Sequence, residues 1–127
     1  MSLSPRQEVG RRAEQQAAEF LAAHGLELVL ANYRCRFGEL DLVMRDGATL
    51  VVVEVRRRGS AAYGGAAASI TRGKQRRVAL ATQHLLHTHH VLRRYPVRFD
   101  VVTLEPLSAG AAGMRIEWLR AAFTSQL

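Results

Sequence analysis

Three acidic residues interrupt an otherwise apolar stretch of the chain, GELDLVMRDGATLVVVEVRRR, which runs from residue 38 to residue 58. They are Glu39, Asp41 and Glu54. A carboxylate buried without a partner costs several kcal/mol, so the interior of a sheet does not accept one without compensation. Carboxylates are ligands of Mg²⁺, which keeps coordinated waters that can serve as nucleophiles in hydrolysis. The three acids therefore indicate a site for a hard divalent cation.

A β-hairpin is predicted to bring these acids together. Asp46-Gly47 is a strong two-residue hairpin signal, and a turn centred there places Glu39 opposite Glu54, with Asp41 diagonal to Glu54. Because side chains alternate along a strand, Glu39, Asp41 and Glu54 then share one face of the sheet. Like charges at this spacing repel each other unless a cation neutralises them.

A second interpretation keeps the acids at the solvent edge of the sheet. There they would form exposed ion pairs with arginines, which contribute little to stability and are common. The neighbouring arginines are Arg36, Arg45, Arg56 and Arg57. The residues by themselves leave the metal site and the ion pairs as about equal alternatives.

Two helices and five strands are predicted to position these residues. Apolar residues at helical spacing predict a first helix from Gly10 to Ala23 and a second that begins near Ser69 or Thr71, either of which can cap it. The inner faces are Ala13, Ala17, Phe20 and Leu21 in the first helix and Val78, Ala81 and Leu85 in the second. The strands are predicted over residues 27–34, 38–45, 48–56, 97–105 and 114–119.

The order helix, three strands, helix, two strands predicts an α/β fold with a mixed β-sheet flanked by helices. The third strand is apolar on both faces and should be central and covered. With 127 residues, 48% of them hydrophobic, the chain is expected to form one domain over residues 1–127. Residues 1–9 and 120–127 are expected to be flexible, and 57–69 to form a mobile loop.

Charge points to a polyanionic partner. The chain has 18 basic and 11 acidic residues, a net charge of +7 and a pI near 11.0, which favours nucleic acid over an acidic membrane surface. The alternative is an Arg-rich surface that is simply solvated. The basic residues expected to contact a phosphate backbone are Arg57, Arg58, Arg72, Lys74, Arg76 and Arg77.

Other residues indicate the cellular compartment and two further candidate sites. A single cysteine and the lack of a long apolar stretch predict a cytoplasmic protein without a disulfide. Asp100 is predicted either to orient Arg98 or a site residue or to form a structural ion pair. A histidine cluster near the end of the second helix could share a metal, although imidazoles also suit a helix C-terminus. Its members are His84, His87, His89 and His90.

Six sequence blocks in a fixed order resemble the PD-(D/E)XK nuclease superfamily, and more closely the YraN family, which is related to Holliday-junction resolvases. The blocks are GRRAEQQAAEFL, NYRCRFGELDLV, VVVEVRRR, YGG, ITRGKQRR and VRFDVV. The resemblance extends from Gly10 to about Leu104. It implies a restriction-endonuclease-like fold and a metal-dependent DNA endonuclease, with branched DNA as one substrate and a homodimer as the assembly.

The resemblance also assigns roles to individual residues. It implies that Asp41 and Glu54 bind Mg²⁺ or Mn²⁺, with Glu39 as a further ligand and Glu14 as a supporting acid. The Glu-x-Lys pair of the superfamily falls on Glu54 and Arg56, and here the chain departs from the pattern. A guanidinium does not lose its proton in proteins, so Arg56 cannot act as a base.

Two consequences of this departure stay open. Lys74, the only lysine of the chain, could reach the site from the second helix and replace the missing lysine. Alternatively, the chain keeps the nuclease fold without hydrolysis and serves as a nucleic-acid-binding or partner-recruiting module.

Overall fold

The computed structural model describes residues 3–58, 70–107 and 113–125, which form a five-stranded mixed sheet with a helix on each face. The strands lie in the order β1-β2-β3-β4-β5, and only β3 and β4 run parallel. The elements are α1 (Pro5–Ala23), β1 (Glu27–Cys35), β2 (Gly38–Asp46), β3 (Thr49–Arg57), α2 (Arg72–Thr88), a 3₁₀ segment (His90–Arg94), β4 (Val97–Pro106) and β5 (Met114–Phe123). The predicted element order and α/β class are confirmed.

Helix α1 begins at Pro5, five residues before the predicted start. Ser4 and Gln7 form a capping box, in which each side chain accepts a hydrogen bond from the backbone N–H of the other residue. This cap and a proline at the first helical position stabilise the early turn. Strand β5 likewise extends to Phe123. The expected flexible segments 1–9 and 120–127 therefore overlap with regular structure, and most of the expected loop 57–69 lies outside the described residues.

The core has two layers, one on each face of the sheet. Helix α1 packs on one face and α2 on the other, and the central position of β3 is confirmed. The α1 layer includes Ala13, Ala17, Leu21, Leu42, Met44, Val51 and Val53. The α2 layer includes Leu40, Val43, Leu50, Val52, Val78, Ala81 and Leu85. In the described ranges, no helix has an apolar stretch long enough to cross a bilayer.

The β2–β3 hairpin forms as predicted, but its register differs by two residues. Asp46 pairs with Thr49, so the loop is Gly47-Ala48 and not Asp46-Gly47. Gly47 has φ +58°, whereas Ala48 does not have a positive φ. This is the pattern of a turn with glycine at the first central position, and the prediction assumed a turn with glycine at the second.

Asp100 is a structural residue of the sheet. Its carboxylate is fully buried and accepts two hydrogen bonds from Arg98, at 2.9 and 3.0 Å. The Trp118 indole and the backbone N–H of Ala121 each donate to it at 2.9 Å. Arg98 also contacts Asp46 at 3.2 Å. Asp100 therefore joins β4 to β5 and, through Arg98, to the hairpin end, which favours the structural alternative.

Asp100→Asn is expected to lower the free energy of unfolding by about 3 kcal/mol, because an amide cannot accept from both nitrogens of the Arg98 guanidinium in this buried position. Urea unfolding measures the change. The matched control is Glu117→Gln, which breaks an exposed 3.7 Å ion pair with Arg115 and should cost less than about 0.5 kcal/mol. Equal losses in the two variants would contradict the assignment.

Candidate metal centre

Strands β2 and β3 separate beyond the middle of the hairpin, and the acidic residues lie where they part. Their pairing ends at Leu42 and Val53. Beyond this point β2 pairs only with β1, and β3 only with β4. The backbone N–H of Val55 therefore lacks a strand partner on this side, and it donates instead to Oδ2 of Asp41 at 2.9 Å. The Asp41 carboxylate lies between the separating strands.

A break in side-chain alternation explains this position. Leu40 packs in the α2 layer and Leu42 in the α1 layer, although they are two residues apart on one strand. Asn32 of β1 lies opposite Asp41, between the pairs that Ala31 and Tyr33 make. It has φ +56°, a conformation that asparagine tolerates better than most residues. Both strands therefore deviate from a regular zigzag at the same level.

Glu14, Glu39 and Asp41 form an acidic cluster in which one carboxylate oxygen of each lies within 4.8 Å of the others. Helix α1 contributes Glu14, and β2 contributes the other two. The Asn32 amide donates to Oε1 of Glu14 at 2.7 Å and to Oε1 of Glu39 at 3.0 Å. Arg34 contacts the second oxygen of Glu39 at 3.1 Å. Elements from three parts of the chain thus converge on one acidic site.

Glu54 approaches this cluster from the α2 side. Its neighbours Val53 and Val55 pack in the α1 layer, whereas its Oε2 lies 3.6 Å from Nζ of Lys74 on α2. Glu54 is only 1% exposed, and its Oε1 has no hydrogen-bond partner among the described residues. The prediction that Glu54 shares one face with the other acids is therefore wrong, and so is its predicted position opposite Glu39. The acids meet because Asp41 lies between the strands.

Burial and mutual repulsion raise the pKa values of Glu54, Asp41 and Glu14. Burial, followed by the charge of Asp41, raises the pKa of Glu54 to about 8, although Lys74 acts in the opposite direction. Burial also raises the pKa of Asp41, against the hydrogen bond from Val55. The pKa of Glu14 is raised by burial and, less strongly, by the charges of Asp41 and Glu39. Without a cation, the site favours a proton on Glu54.

Stability without divalent cations is expected to fall as the pH rises. The unfolded chain releases the Glu54 proton near pH 4.5 and the folded chain near pH 8, so the stabilisation is complete below the lower value and is lost through the upper one. In EDTA, the melting temperature should be lower at about pH 9 than at about pH 5. Glu54→Gln, which carries no ionisable group, should reduce this difference. A difference of the same size in both proteins would contradict the expectation.

The donor set fits a hard divalent cation. Its ligating atoms are carboxylate oxygens, which Mg²⁺ and Mn²⁺ accept. Oε1 of Glu54 is a buried acceptor that has no partner in the part of the chain that the structure describes, and such an atom normally requires one. Asp41 interacts electrostatically with Glu54 and also belongs to the cluster with Glu14 and Glu39. A cation beside Asp41 could therefore bind Glu54 as well as the carboxylates of the cluster.

The predicted basic residues differ in their exposure and in their contact with the acids. Lys74 contacts Glu54, as expected if the lysine reaches the site from the second helix. Arg56 is half-buried and has no hydrogen bond or ion pair within the described ranges. Arg57, Arg72, Arg76 and Arg77 are exposed, and Arg58 is half-buried.

Two further features concern Asn32 and the histidine cluster. Asn32 was not predicted as a site residue, although it lies in the block NYRCRFGELDLV; only its left-handed backbone, which the sequence does not display, brings its amide to Glu14 and Glu39. The histidines do not form a metal site. His84 contacts Tyr33, and His87 contacts Arg93, and the only metal-type cluster within the described residues is the acidic one.

The start of helix α2 has a threonine cap and several exposed arginines. Thr71 caps it by accepting a hydrogen bond from the backbone N–H of Lys74 at 3.1 Å, which confirms one of the two predicted caps. Three exposed arginines lie in its first two turns, where cations oppose the helix dipole. A helix start with this composition suits a bound polyanion better than an isolated protein surface.

Comparisons with known proteins identify relatives over nearly the whole chain. A family model described as "Uncharacterised protein family UPF0102" matches residues 13–104. A UPF0102 protein of Alkalilimnicola ehrlichii is 50% identical over 96% of this chain and 91% of its own length. One from Methylococcus capsulatus is 50% identical over 99% and 98%, and one from Cupriavidus taiwanensis 55% identical over 93% and 84%. The chain therefore belongs to the UPF0102 family, which is the YraN family that the sequence blocks indicated.

Proposed function

We propose that this protein is a metal-dependent endonuclease that hydrolyses phosphodiester bonds in DNA, with Mg²⁺ or Mn²⁺ as its cofactor. The observation that carries the proposal is the convergence of acids at the point where β2 and β3 separate. Glu54 is buried there, and among the described residues its Oε1 has no hydrogen-bond partner. Its Oε2 lies 3.6 Å from Nζ of Lys74, the only lysine of the chain. A purely structural site would pair or neutralise such a group more completely.

Four acids hold the cation, either directly or through water. Asp41 and Glu54 are the principal ligands, because Glu54 is buried, Asp41 lies half-buried between the separating strands, and the two interact with each other. Glu39 is the third ligand, and Glu14 completes the cluster directly or through water. The Asn32 amide holds Glu14 and Glu39 in place. A bound Mg²⁺ or Mn²⁺ would lower the pKa of a coordinated water and neutralise charge on the phosphate.

Lys74 occupies the role that the resemblance gives to the lysine of Glu-x-Lys. Its ammonium lies beside Glu54 and can donate hydrogen bonds to the attacking water or to a phosphate oxygen. Unlike a guanidinium, it can also release a proton. Arg56, two residues from Glu54 on β3, faces the scissile phosphate and supplies charge without acting as a base. Water would then attack phosphorus in line with the leaving oxygen, and the bond between phosphorus and that oxygen would break.

The exposed basic residues bind the flanking backbone of the DNA. Arg72, Arg76 and Arg77 lie on the same helix as Lys74, and Arg57 ends the strand that carries Glu54. Phosphate contacts of this kind position a duplex without reading its sequence. The net charge of +7 supports a polyanionic substrate.

The test is a nicking assay on linear and branched DNA with Mg²⁺ or Mn²⁺, for the wild type and for Asp41→Ala and Glu54→Ala. The expected result is metal-dependent cleavage by the wild type and none by either variant. Cleavage that both variants retain would overturn the assignment of the site.

A second candidate, a nucleic-acid-binding module without hydrolysis, is favoured by one observation: arginine stands where the superfamily pattern has lysine. It predicts salt-dependent binding through the basic residues and no cleavage with any metal. Arg56→Lys separates the two candidates. Cleavage that appears only in this variant would support the second candidate, whereas cleavage by the wild type would exclude it.

A further inference from the structure

A cavity of about 520 Å³ lies between the start of α2 and the end of β5, and none of the acidic residues lines it. A second cavity of about 340 Å³ shares Ala79, Phe123 and Thr124 with it and continues along α2 towards Leu86. Both lie on the α2 side of the sheet, over β4 and β5. The two cavities form one groove beside α2, which we call the α2–β5 groove.

One end of the α2–β5 groove is cationic. Arg72 and Arg76 line it and are exposed, and neither forms a hydrogen bond or an ion pair within the described part of the chain. They are four residues apart on a helix, so they project from the same side. Two exposed guanidinium groups at the mouth of a groove favour an anionic ligand, and phosphate is the anion that their fork geometry suits.

The floor of the groove is apolar and aromatic. Phe123 is half-buried and lines both cavities, and it stacks on Phe99 with ring centroids 5.0 Å apart and an interplanar angle of 14°. An aromatic ring beside cationic groups is an arrangement by which proteins hold an unpaired nucleotide, with the base stacked on the ring and the phosphate on the cation.

The groove and the proposed catalytic site lie at the same end of α2, on different sides of the helix. Lys74, which contacts Glu54, is two residues from both Arg72 and Arg76, and residues two apart on a helix point in different directions. A nucleic-acid strand bound at Glu54 could therefore reach the groove by passing over the first turn of α2. A protein ligand of acidic and apolar composition would match the arginines and the floor but would not require the groove to lie beside this turn.

We propose that the α2–β5 groove binds an unpaired nucleotide of the substrate, with the base against Phe123 and its phosphate at Arg72 and Arg76. The proposal deepens the proposed function, since it makes single-stranded or frayed DNA next to the cut the preferred substrate. Duplex DNA without unpaired bases would leave the groove unused.

The experiment measures binding in EDTA, so that it does not depend on cleavage. Fluorescence anisotropy compares a short oligo-dT with an abasic oligonucleotide of the same length, which carries the same phosphates without bases. The wild type is expected to bind oligo-dT about five- to a hundredfold more tightly. Equal affinity for the two ligands would overturn the proposal, because binding would then be purely electrostatic.

Two variants assign the base and the phosphate contacts. Phe123→Leu keeps an apolar side chain but removes the ring, so it should abolish the preference for oligo-dT while leaving the affinity for the abasic ligand unchanged. Arg76→Ala should weaken both ligands and lower the salt dependence of binding by about one phosphate contact. The matched control is Arg12→Ala, an exposed arginine of α1, which should retain the full base preference. A preference retained in Phe123→Leu would overturn the proposal.

Circular dichroism and thermal melting show whether Phe123→Leu folds, and Arg76→Ala tests the same groove without touching the core. Base-dependent binding without cleavage would sustain the groove and refute the nuclease. Cleavage without base-dependent binding would refute the groove and sustain the nuclease. Tighter binding of an acidic peptide than of oligo-dT would identify a protein ligand and overturn the proposal.

Discussion

Asp41→Asn is expected to reduce metal-dependent cleavage at least about a hundredfold. Asp41 lies between the separating strands, where it belongs to the cluster with Glu14 and Glu39 and also interacts with Glu54. Its removal therefore takes a ligand from the point where the two groups meet. Single-turnover cleavage at saturating Mn²⁺ measures the loss, and calorimetric titration shows whether Mn²⁺ affinity falls with it.

The control for this variant is Asp46→Asn, the same substitution on the same strand. Asp46 lies at the turn end of β2 and contacts Arg98 at 3.2 Å, away from the acidic cluster. It should leave cleavage and Mn²⁺ affinity within a few fold of the wild type. If Asp41→Asn cleaves as fast as Asp46→Asn, Asp41 does not bind the catalytic metal.

Lys74→Met is expected to reduce cleavage about a hundredfold or more while leaving Mn²⁺ bound. The ammonium lies 3.6 Å from Glu54, so its loss removes a cation beside the proposed reaction centre but none of the carboxylate ligands. Arg56→Met should cost less than about tenfold, because a side chain that cannot release a proton contributes charge alone. The measurement is the single-turnover rate at saturating metal.

Lys74→Arg separates charge from proton transfer. It keeps the positive charge beside Glu54, so a rate near that of the wild type would show that charge alone is needed, whereas a loss near that of Lys74→Met would support a role in moving a proton. The assignment would be wrong if Arg56→Met abolished cleavage and Lys74→Met did not. Arg56 would then be the functional counterpart of the missing lysine.

The sequence predicted the elements well because their signals are local. Thr71 caps α2, and Val78, Ala81 and Leu85 form its buried face, as their types and spacing required. The hairpin was also found from its turn residues. Its register was not, because Gly47 can supply the positive φ at either central position of the turn, and the choice between them depends on how the strands pack.

The site itself depends on an irregularity that a regular pattern cannot reveal. Strict alternation placed Asp41 and Glu54 on one face, yet the residues beside Glu54 pack against α1 while Glu54 contacts α2. The acids converge only because β2 leaves β3 after Leu42 and because Asn32 adopts a left-handed conformation opposite Asp41. Both features arise from tertiary packing. The resemblance to a nuclease family singled out Asp41 and Glu54 without this knowledge, and their role as metal ligands stays a prediction.

The most direct measurement is the anomalous scattering of Mn²⁺ soaked into crystals of the protein. We expect one strong peak between the carboxylates of Asp41 and Glu54, with Glu39 close enough to share the ion, and we expect this peak to disappear in Asp41→Asn. A peak bound only by other residues, or none at Mn²⁺ concentrations that support cleavage, would contradict a metal centre at the separation of β2 and β3.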